Sequence, residues 1–506
     1  MKTNSKYSLF FLLCFSCLKL MAQTSEIALW EVKAKKTSEG LGSYSVVVLN
    51  EAAIQNIYSS HSGSVRVPFA AKDGSKMFAD VYLKPMENVP IKTNNNNYVT
   101  DILLPRMYSG KVSGSNEKSI VTLTLAPGFL SMHVYFQNEK IAVTKNDVGM
   151  GNQFILQYAS EILQQDNRTL CNMGDATNRS PVVIQRNELG QLSASDKCTY
   201  VFVDCSNGLY VHESSSVQST VNRVYSIWND LHTLYENEQM NVKISEINVW
   251  KDTDPFTTTS TTLAANRSFG NYYHDNYWGN MALLMDWSDL NGGIAGGFGW
   301  AKAVAPNVCG NYDPNRLNAY DIGSLAYINL QGSGTFTNFP VPALGWDVEA
   351  STHELGHLFG SYHTQSCNWA DGPIDNCVAK EGSCSENGTT PTNGGTIMSY
   401  CHLTSVGVNF NNGFGTEPGD LIRAFISANT CVSNCVACTP IAVVGTIGTQ
   451  GFYHYEASRV IANGTVPNAN TLIKLDGASK VTLAPGFKAF EGSKVQVFID
   501  GCGGIR

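Results

Sequence analysis

Apolar and polar residues alternate through much of the first third of the chain, most regularly in Ile120-Val-Thr-Leu-Thr-Leu125 and again in Phe129–Phe136, with Pro127-Gly128 between them. A period of two sends successive side chains to opposite faces, so each run predicts a strand and the Pro-Gly pair a turn. Asn94–Asn97 reads as a polar loop. From Cys198 the pattern changes. Tyr200–Val203 is a short β-branched and aromatic run, Val217, Val221, Val224, Trp228, Leu231 and Tyr235 recur at helical spacing, and Val242–Trp250 is strand-like again. After Cys438-Thr439-Pro440 short β segments return, with turns expected at Asn463-Gly464, Asp476-Gly477 and Pro485-Gly486. Leu-Ala-Pro-Gly-Phe occurs at 125–129 and again at 483–487; a Pro-Gly turn between strands accounts for both copies without an internal repeat.

The extreme N-terminus is of another kind. Lys2 and Lys6 precede the apolar run Tyr7–Leu18, and Leu20-Met21-Ala22 before Gln23 offers a cleavage site, which predicts a secretion signal. The run is too short for a membrane span, and no later segment reaches the roughly 18 apolar residues that a span needs. Apolar residues follow both Cys14 and Cys17, which disfavours a lipid-anchor site. The pattern changes therefore divide the chain into a signal at 1–22, a β-rich unit at 23–197, a mixed α+β unit at 198–438 and a small β unit at 439–506. Residues 166–197 are polar, with Arg179, Arg186 and Lys197 as candidate processing points. Hydrophobic residues make up 43%, enough for sizeable cores, while a net charge of −8 without Lys/Arg clusters argues against nucleic acid or anionic membrane as partner.

The densest chemistry lies at 353–363, His-Glu-Leu-Gly-His-Leu-Phe-Gly-Ser-Tyr-His. Ala350, Leu355, Leu358 and Phe359 suit a helix, so His353 and His357, four apart, project from one face and can grip one metal ion. Glu354 sits beside them, placed to handle the protons of a metal-bound water. Gly360 can take the left-handed conformation that ends a helix and turns the chain aside, which lets His363 return as a third ligand. Three imidazoles leave a fourth position open, as a catalytic zinc site requires. With only ten histidines in the chain, five fixed positions in this pattern do not read as chance.

Downstream stands Gly395-Thr396-Ile397-Met398-Ser399-Tyr400. Together with the histidine motif it resembles the metzincin clan of zinc endopeptidases, in which H-E-x-x-H-x-x-G-x-x-H is followed by a Met-turn. The resemblance covers roughly residues 198–430 and implies a twisted mixed sheet over which the zinc helix packs. It further implies that Met398 forms an apolar floor beneath the histidines and that Tyr400 stands where astacins and serralysins carry a metal-proximal tyrosine. Residues 23–197 are similar to reprolysin-type propeptides, and the run Gly292–Trp300 falls where metzincins place a cleft-lining edge strand. There Gly296, Gly297, Phe298, Gly299 and Trp300 would let a substrate backbone pair as an added strand. Cys367, Cys377, Cys384 and Cys401 look like the reprolysin or adamalysin branch, but that branch carries Asp after the third histidine and here it is Thr364. The last unit is similar to small β modules appended to secreted bacterial hydrolases, with an accessory adhesion or sorting role.

Loss of the signal leaves twelve cysteines, which in an exported protein predict disulfides, those between His363 and His402 stapling the loop to the Met-turn. Four cysteines allow three pairings. A second metal site from Cys431, Cys435 and Cys438 is the lesser alternative. Cys171 precedes the catalytic segment, and its thiolate could take the fourth zinc position and hold a precursor latent. Calcium stays open, because Asp252, Asp254, Asp371 and Asp375 form no complete EF-hand loop.

The expected activity is zinc-assisted hydrolysis of peptide bonds in protein substrates by a secreted, monomeric enzyme. His353, His357 and His363 hold the metal, Glu354 serves as general base and then acid, and Tyr400 supports the oxyanion. A zinc hydrolase of non-peptide amides or esters and an adhesion protein with an inactive protease-like domain are the rivals. The intact Glu354 argues against the second.

Overall fold

The computed structural model describes residues 26–498 apart from 146–152, 162–196, 257–260, 302–322, 331–344, 436–438, 447–450, 467–470 and shorter gaps of one to three residues. Three sheets organise it. The first has nine strands, ordered in space as Trp30–Ser38, Gly42–Leu49, Phe154–Tyr158, Glu139–Lys145, Phe129–Phe136, Ser119–Ala126, Arg106–Val112, Lys76–Leu83 and Ser64–Ala70, with every neighbouring pair antiparallel. The Pro127-Gly128 turn joins two of them, with Ala126 opposite Phe129 and Gly128 at φ 74°, the left-handed conformation that glycine adopts without penalty. Strand Ser119–Ala126 is buried at every position, although its sequence alternates. Val121, Leu123 and Leu125 face the sheet's own core. The threonines on the opposite face are covered as well, because a helix lies on them.

That helix is Val217–Asn237, capped by Ser216, whose hydroxyl accepts from the Ser219 amide. Its sequence predicts one apolar stripe, yet 14 of its 21 residues are buried. Val221, Val224, Trp228, Leu231 and Tyr235 pack into the core of a second, seven-stranded sheet. The polar face meets the first sheet. Asn229 donates to the carbonyls of Tyr108 (3.1 Å) and Leu123 (3.2 Å) and to the Thr124 hydroxyl (3.0 Å). Asp230 accepts from the Thr122 hydroxyl at 2.7 Å and pairs with His133 Nδ1 at 2.6 Å, and Ser226 meets Ser131 at 2.7 Å. Buried polar groups need such partners, and here the two layers supply them to each other.

The second sheet runs Gly293–Ala295, Leu325–Asn329, Met281–Asp286, Cys198–Cys205, Asn241–Val249, Ile91–Thr93 and Asn97–Val99. Its middle strands are parallel, and Gly293–Ala295 is an antiparallel edge. The last two strands come from the N-terminal part of the chain. Ile91–Thr93 pairs in parallel with Ile247–Val249, and Asn97–Val99 turns back on it. The Asn94–Asn97 stretch, expected as a loop, thus ends in a short strand. Lys92 pairs with Glu246 at 2.5 Å, with Glu246 almost wholly buried. The N-terminal residues therefore contribute to the same sheet as residues 198–329, across the expected boundary near 197.

The third sheet differs from its expectation. Thr439–Val444, Gly451–Ala462, Thr471–Leu483 and Ser493–Phe498 pair in parallel, rung upon rung, with Gly451 beside Thr471 and Thr471 beside Ser493. This is a coil repeating about every 20 residues rather than a set of turns between unrelated strands. Asp476-Gly477 lies inside a strand, paired with Glu456 and Ala457, and is not a turn. Gly464 stacks over the previous rung so closely that a Cβ there would fall 2.0 Å from the carbonyl carbon of Gly445.

Candidate metal and active site

Helix Trp346–Leu358 carries the histidine motif and is buried along its whole length, not along one stripe. Asp347 and Glu349 stand in its first turn, where negative charge suits the helix dipole, and Asp347 binds Arg223 of the long helix at 2.7 Å. Gly360, at φ 93°, ends the helix with two bonds that satisfy its last carbonyls: Gly360 N–H to His357 O (2.8 Å) and Ser361 N–H to Gly356 O (3.0 Å). The chain turns there, and His363 comes back to the helix.

The three imidazoles meet. His357 Nε2 lies 3.1 Å from His353 Nε2 and 3.0 Å from His363 Nε2, all three rings being buried. Each Nδ1–H has an acceptor elsewhere: His353 donates to Ile397 O (2.8 Å), His357 to Ser361 O (2.7 Å) and His363 to the Glu381 carboxylate (2.7 and 3.0 Å). With Nδ1 protonated, every Nε2 presents a lone pair to one point. Burial, and then the neighbouring His363, push the pKa of His353 and His357 well below the ordinary histidine value, so both remain neutral donors. Three neutral lone pairs about 3 Å apart repel one another unless a cation lies between them, and the donor set fits zinc.

Glu354 is fully buried beside this cluster and against the edge strand. A Cβ on Gly293 would lie 2.7 Å from Glu354 Oε1 and 2.8 Å from its Cγ, so the glycine makes room for the carboxylate. Met398 lies beneath Gly356, its backbone carbonyl accepting from the Thr364 amide at 3.1 Å and the Thr364 hydroxyl at 3.4 Å. Tyr400 is nearly buried, its ring centroid 4.8 Å from that of His363 and 6.0 Å from that of His353.

Residues 194–410 match the family model Reprolysin_5, Metallo-peptidase family M12. Over that segment the chain is consistent with a reprolysin-like metzincin domain. No curated protein matches the chain. Among solved structures, a chain described as "Structure of a chaperone-substrate complex" is similar at 10% identity with a TM-score of 0.26, over 60% of this chain and 39% of its own length, a likeness too weak to carry an argument.

Thr364, which stands where the reprolysin or adamalysin branch carries Asp, bonds to the Met398 carbonyl through both its amide and its hydroxyl. The loop from His363 to Met398 is stapled by Cys367–Cys384 and Cys377–Cys401, and Cys198–Cys435 ties the strand Cys198–Cys205 to the segment after residue 430. Cys435 is thus not a metal ligand; Asp375 lies beside Cys377 and Cys401, which are bonded to each other, and its Oδ1 accepts from the Cys377 amide at 3.2 Å. Cys205 departs from the expectation of general pairing: it is a buried free thiol, its pKa pushed well up by burial and then by Asp204. Asp252 accepts from Asn94 Nδ2 and Asp254 from the Asn207 and Phe256 amides.

The edge strand is Gly293–Ala295; Gly296 still bonds through its N–H to Leu325 O at 2.7 Å, while Gly299 has left the sheet to donate to His357 O at 3.2 Å. Gly297, Phe298, Trp300 and Cys171 lie outside the described residues. Two residues escaped the sequence reading. Glu381 has no fixed spacing to the motif, and Gly293 sat unmarked in a glycine-rich run whose role was assigned to pairing with substrate.

Proposed function

We propose that the protein is a secreted zinc endopeptidase that hydrolyses internal peptide bonds of protein substrates. The observation that carries this reading is the convergence of His353, His357 and His363 Nε2 with every Nδ1 satisfied and Glu354 buried alongside. When bound, zinc lowers the pKa of a coordinated water from about 15.7 toward 7 and polarises the scissile carbonyl. Glu354 takes the proton of the attacking water at its carboxylate and returns it to the leaving amine. The edge strand supplies a backbone ladder for an extended peptide, and Tyr400 offers its phenol to the developing oxyanion.

Three disulfides among the described residues support export. No helix among the described residues is long and apolar enough to cross a membrane. Residues 23–197 are proposed as a prodomain, with Cys171 as the thiolate that occupies the fourth zinc position before processing. The test is digestion of a diverse peptide library by the purified protein, with and without a chelator. Cleavage of internal bonds that the chelator stops and zinc restores is the expected result; cleavage unaffected by the chelator contradicts the reading.

A further inference from the structure

Two of the three histidines are placed by regular structure. His353 and His357 ride on one helix, and their Nδ1–H groups reach backbone carbonyls. His363 lies beyond the helix end in irregular chain, so something else must orient it. We propose that Glu381, brought to the histidine cluster by the loop that the Cys367–Cys384 disulfide closes, is the positioning residue that fixes His363 as the third metal ligand. The inference rests on the zinc reading above.

The carboxylate is itself fixed on several sides. Both oxygens lie within hydrogen-bonding distance of His363 Nδ1, at 2.7 and 3.0 Å, and Oε1 also accepts from Gln365 Nε2 at 2.9 Å. The Glu381 backbone bonds in both directions, its N–H to Gln365 O (3.0 Å) and its carbonyl to the Cys367 amide (2.7 Å), forming a parallel bridge with Ser366. Cys367 is thus both a hydrogen-bond partner of Glu381 and the origin of the disulfide that closes the loop at Cys384. The backbone of His363 is tied down too, its carbonyl accepting from Trp369 Nε1 at 2.7 Å. Neighbouring Lys380 is turned to the Cys384 carbonyl at 2.6 Å, closing the base of the same loop.

The chemistry of the acceptor matters. A carboxylate holds Nδ1–H more strongly than a carbonyl does, fixes the tautomer that leaves Nε2 bare, and increases electron donation from Nε2 to a metal. Of the three ligands, the one placed by irregular chain is thus the one held by a charged acceptor. Glu381 is about a quarter exposed and lies on the rim of the site, so its charge is kept at moderate desolvation cost. The long sequence gap between Glu381 and the motif is spanned by the disulfide, which supplies the rigidity that a helix gives to the other two ligands.

The test is zinc affinity of the full chain, measured by competition with a chelating dye, for wild type, Glu381→Ala, Glu381→Gln and the double substitution Cys367→Ala with Cys384→Ala. Loss of an outer-shell partner lowers metal affinity about 10- to 100-fold. Glu381→Ala should fall in that range, Glu381→Gln, which keeps an oxygen acceptor without the charge, should fall between it and wild type, and the disulfide variant should weaken binding in the same direction. Cobalt substitution gives a second readout, since a His363 ring released from its carboxylate alters the visible absorption bands of the bound cobalt. Should Glu381→Ala fail to fold, Glu381→Gln decides. Zinc affinity within threefold of wild type and unchanged cobalt bands in both Glu381 variants would overturn the proposal while leaving the zinc reading intact. Absence of stoichiometric zinc in wild type would overturn both.

Discussion

Gly356 and Met398 are in contact across the base of the site, so close that a Cβ on Gly356 would lie 2.7 Å from the Met398 sulfur. The second variable position of the histidine motif is therefore dictated by the Met-turn. Gly356→Ala, favourable by about 1 kcal/mol in an unconstrained helix, should here lower the melting temperature and the zinc affinity, because the buried sulfur must move. In a double-mutant cycle Met398→Ala should relieve much of that loss, with a coupling of roughly 0.5–3 kcal/mol. Additive effects on melting temperature would show that the contact is unimportant.

Gly293 does for Glu354 what Gly356 does for Met398. Gly293→Ala should displace the carboxylate and reduce kcat at least about 10-fold while zinc content stays at wild-type level, since a misplaced general base loses most of its contribution. Zinc analysis beside steady-state kinetics checks this. An unchanged kcat would mean that Glu354 has room to spare.

Tyr400 stands against His363, its ring centroid 4.8 Å away, and its hydroxyl is the one proposed to meet the oxyanion. Tyr400→Phe should lower kcat about 10- to 1,000-fold with little change in KM, the pattern expected when a hydrogen bond made only in the transition state is lost. A kcat equal to wild type would leave the tyrosine as packing for the imidazoles.

Much of the site was legible because its information is local. Spacing within a helix puts His353 beside His357, and a glycine at its end brings back His363. Glu381 was not legible, because its approach depends on a disulfide and on backbone pairing between residues far apart in sequence. Strand Ile91–Thr93 is short, carries a lysine at its centre and pairs with strand Asn241–Val249, remote in the chain, so no period-two run announces it. Thr122 and Thr124 alternate with the apolar positions of their run, but no local pattern says that the groups they meet are Asp230 and Asn229 of another element. The parallel coil at 439–498 repeats its backbone path, but its rungs share little beyond glycines at the turns, which conceals the period.

The interface between the first sheet and the long helix gives a stability prediction. Asn229→Ala removes an amide whose two N–H groups are shared among three acceptors and should cost roughly 1–3 kcal/mol in denaturant unfolding of the full chain. A loss below about 0.5 kcal/mol would show that water replaces the asparagine at that interface.

Asp204 gives the pH dependence. Burial raises its pKa from 3.8 to about 7, against the opposing donors Asn248, Tyr273 and Trp250. The folded value exceeds the unfolded one, so the contribution to stability is fully present below about pH 4 and is lost as the pH rises through about 7. The stability difference between wild type and Asp204→Asn should therefore move against wild type across that window, by at most about 4 kcal/mol for a shift of this size. Urea unfolding of both proteins at pH 4 to 8 checks the sign. A constant difference would place the carboxylate in its ionised form throughout.

The central claim is that His353, His357 and His363 hold the metal while Glu354 moves the proton. Glu354→Ala separates the two roles most directly. Zinc content and casein cleavage are measured on the same preparation of the variant and of wild type. Stoichiometric zinc with hydrolysis abolished is the predicted result. Full hydrolysis by the variant, or loss of zinc with activity unchanged, would contradict it.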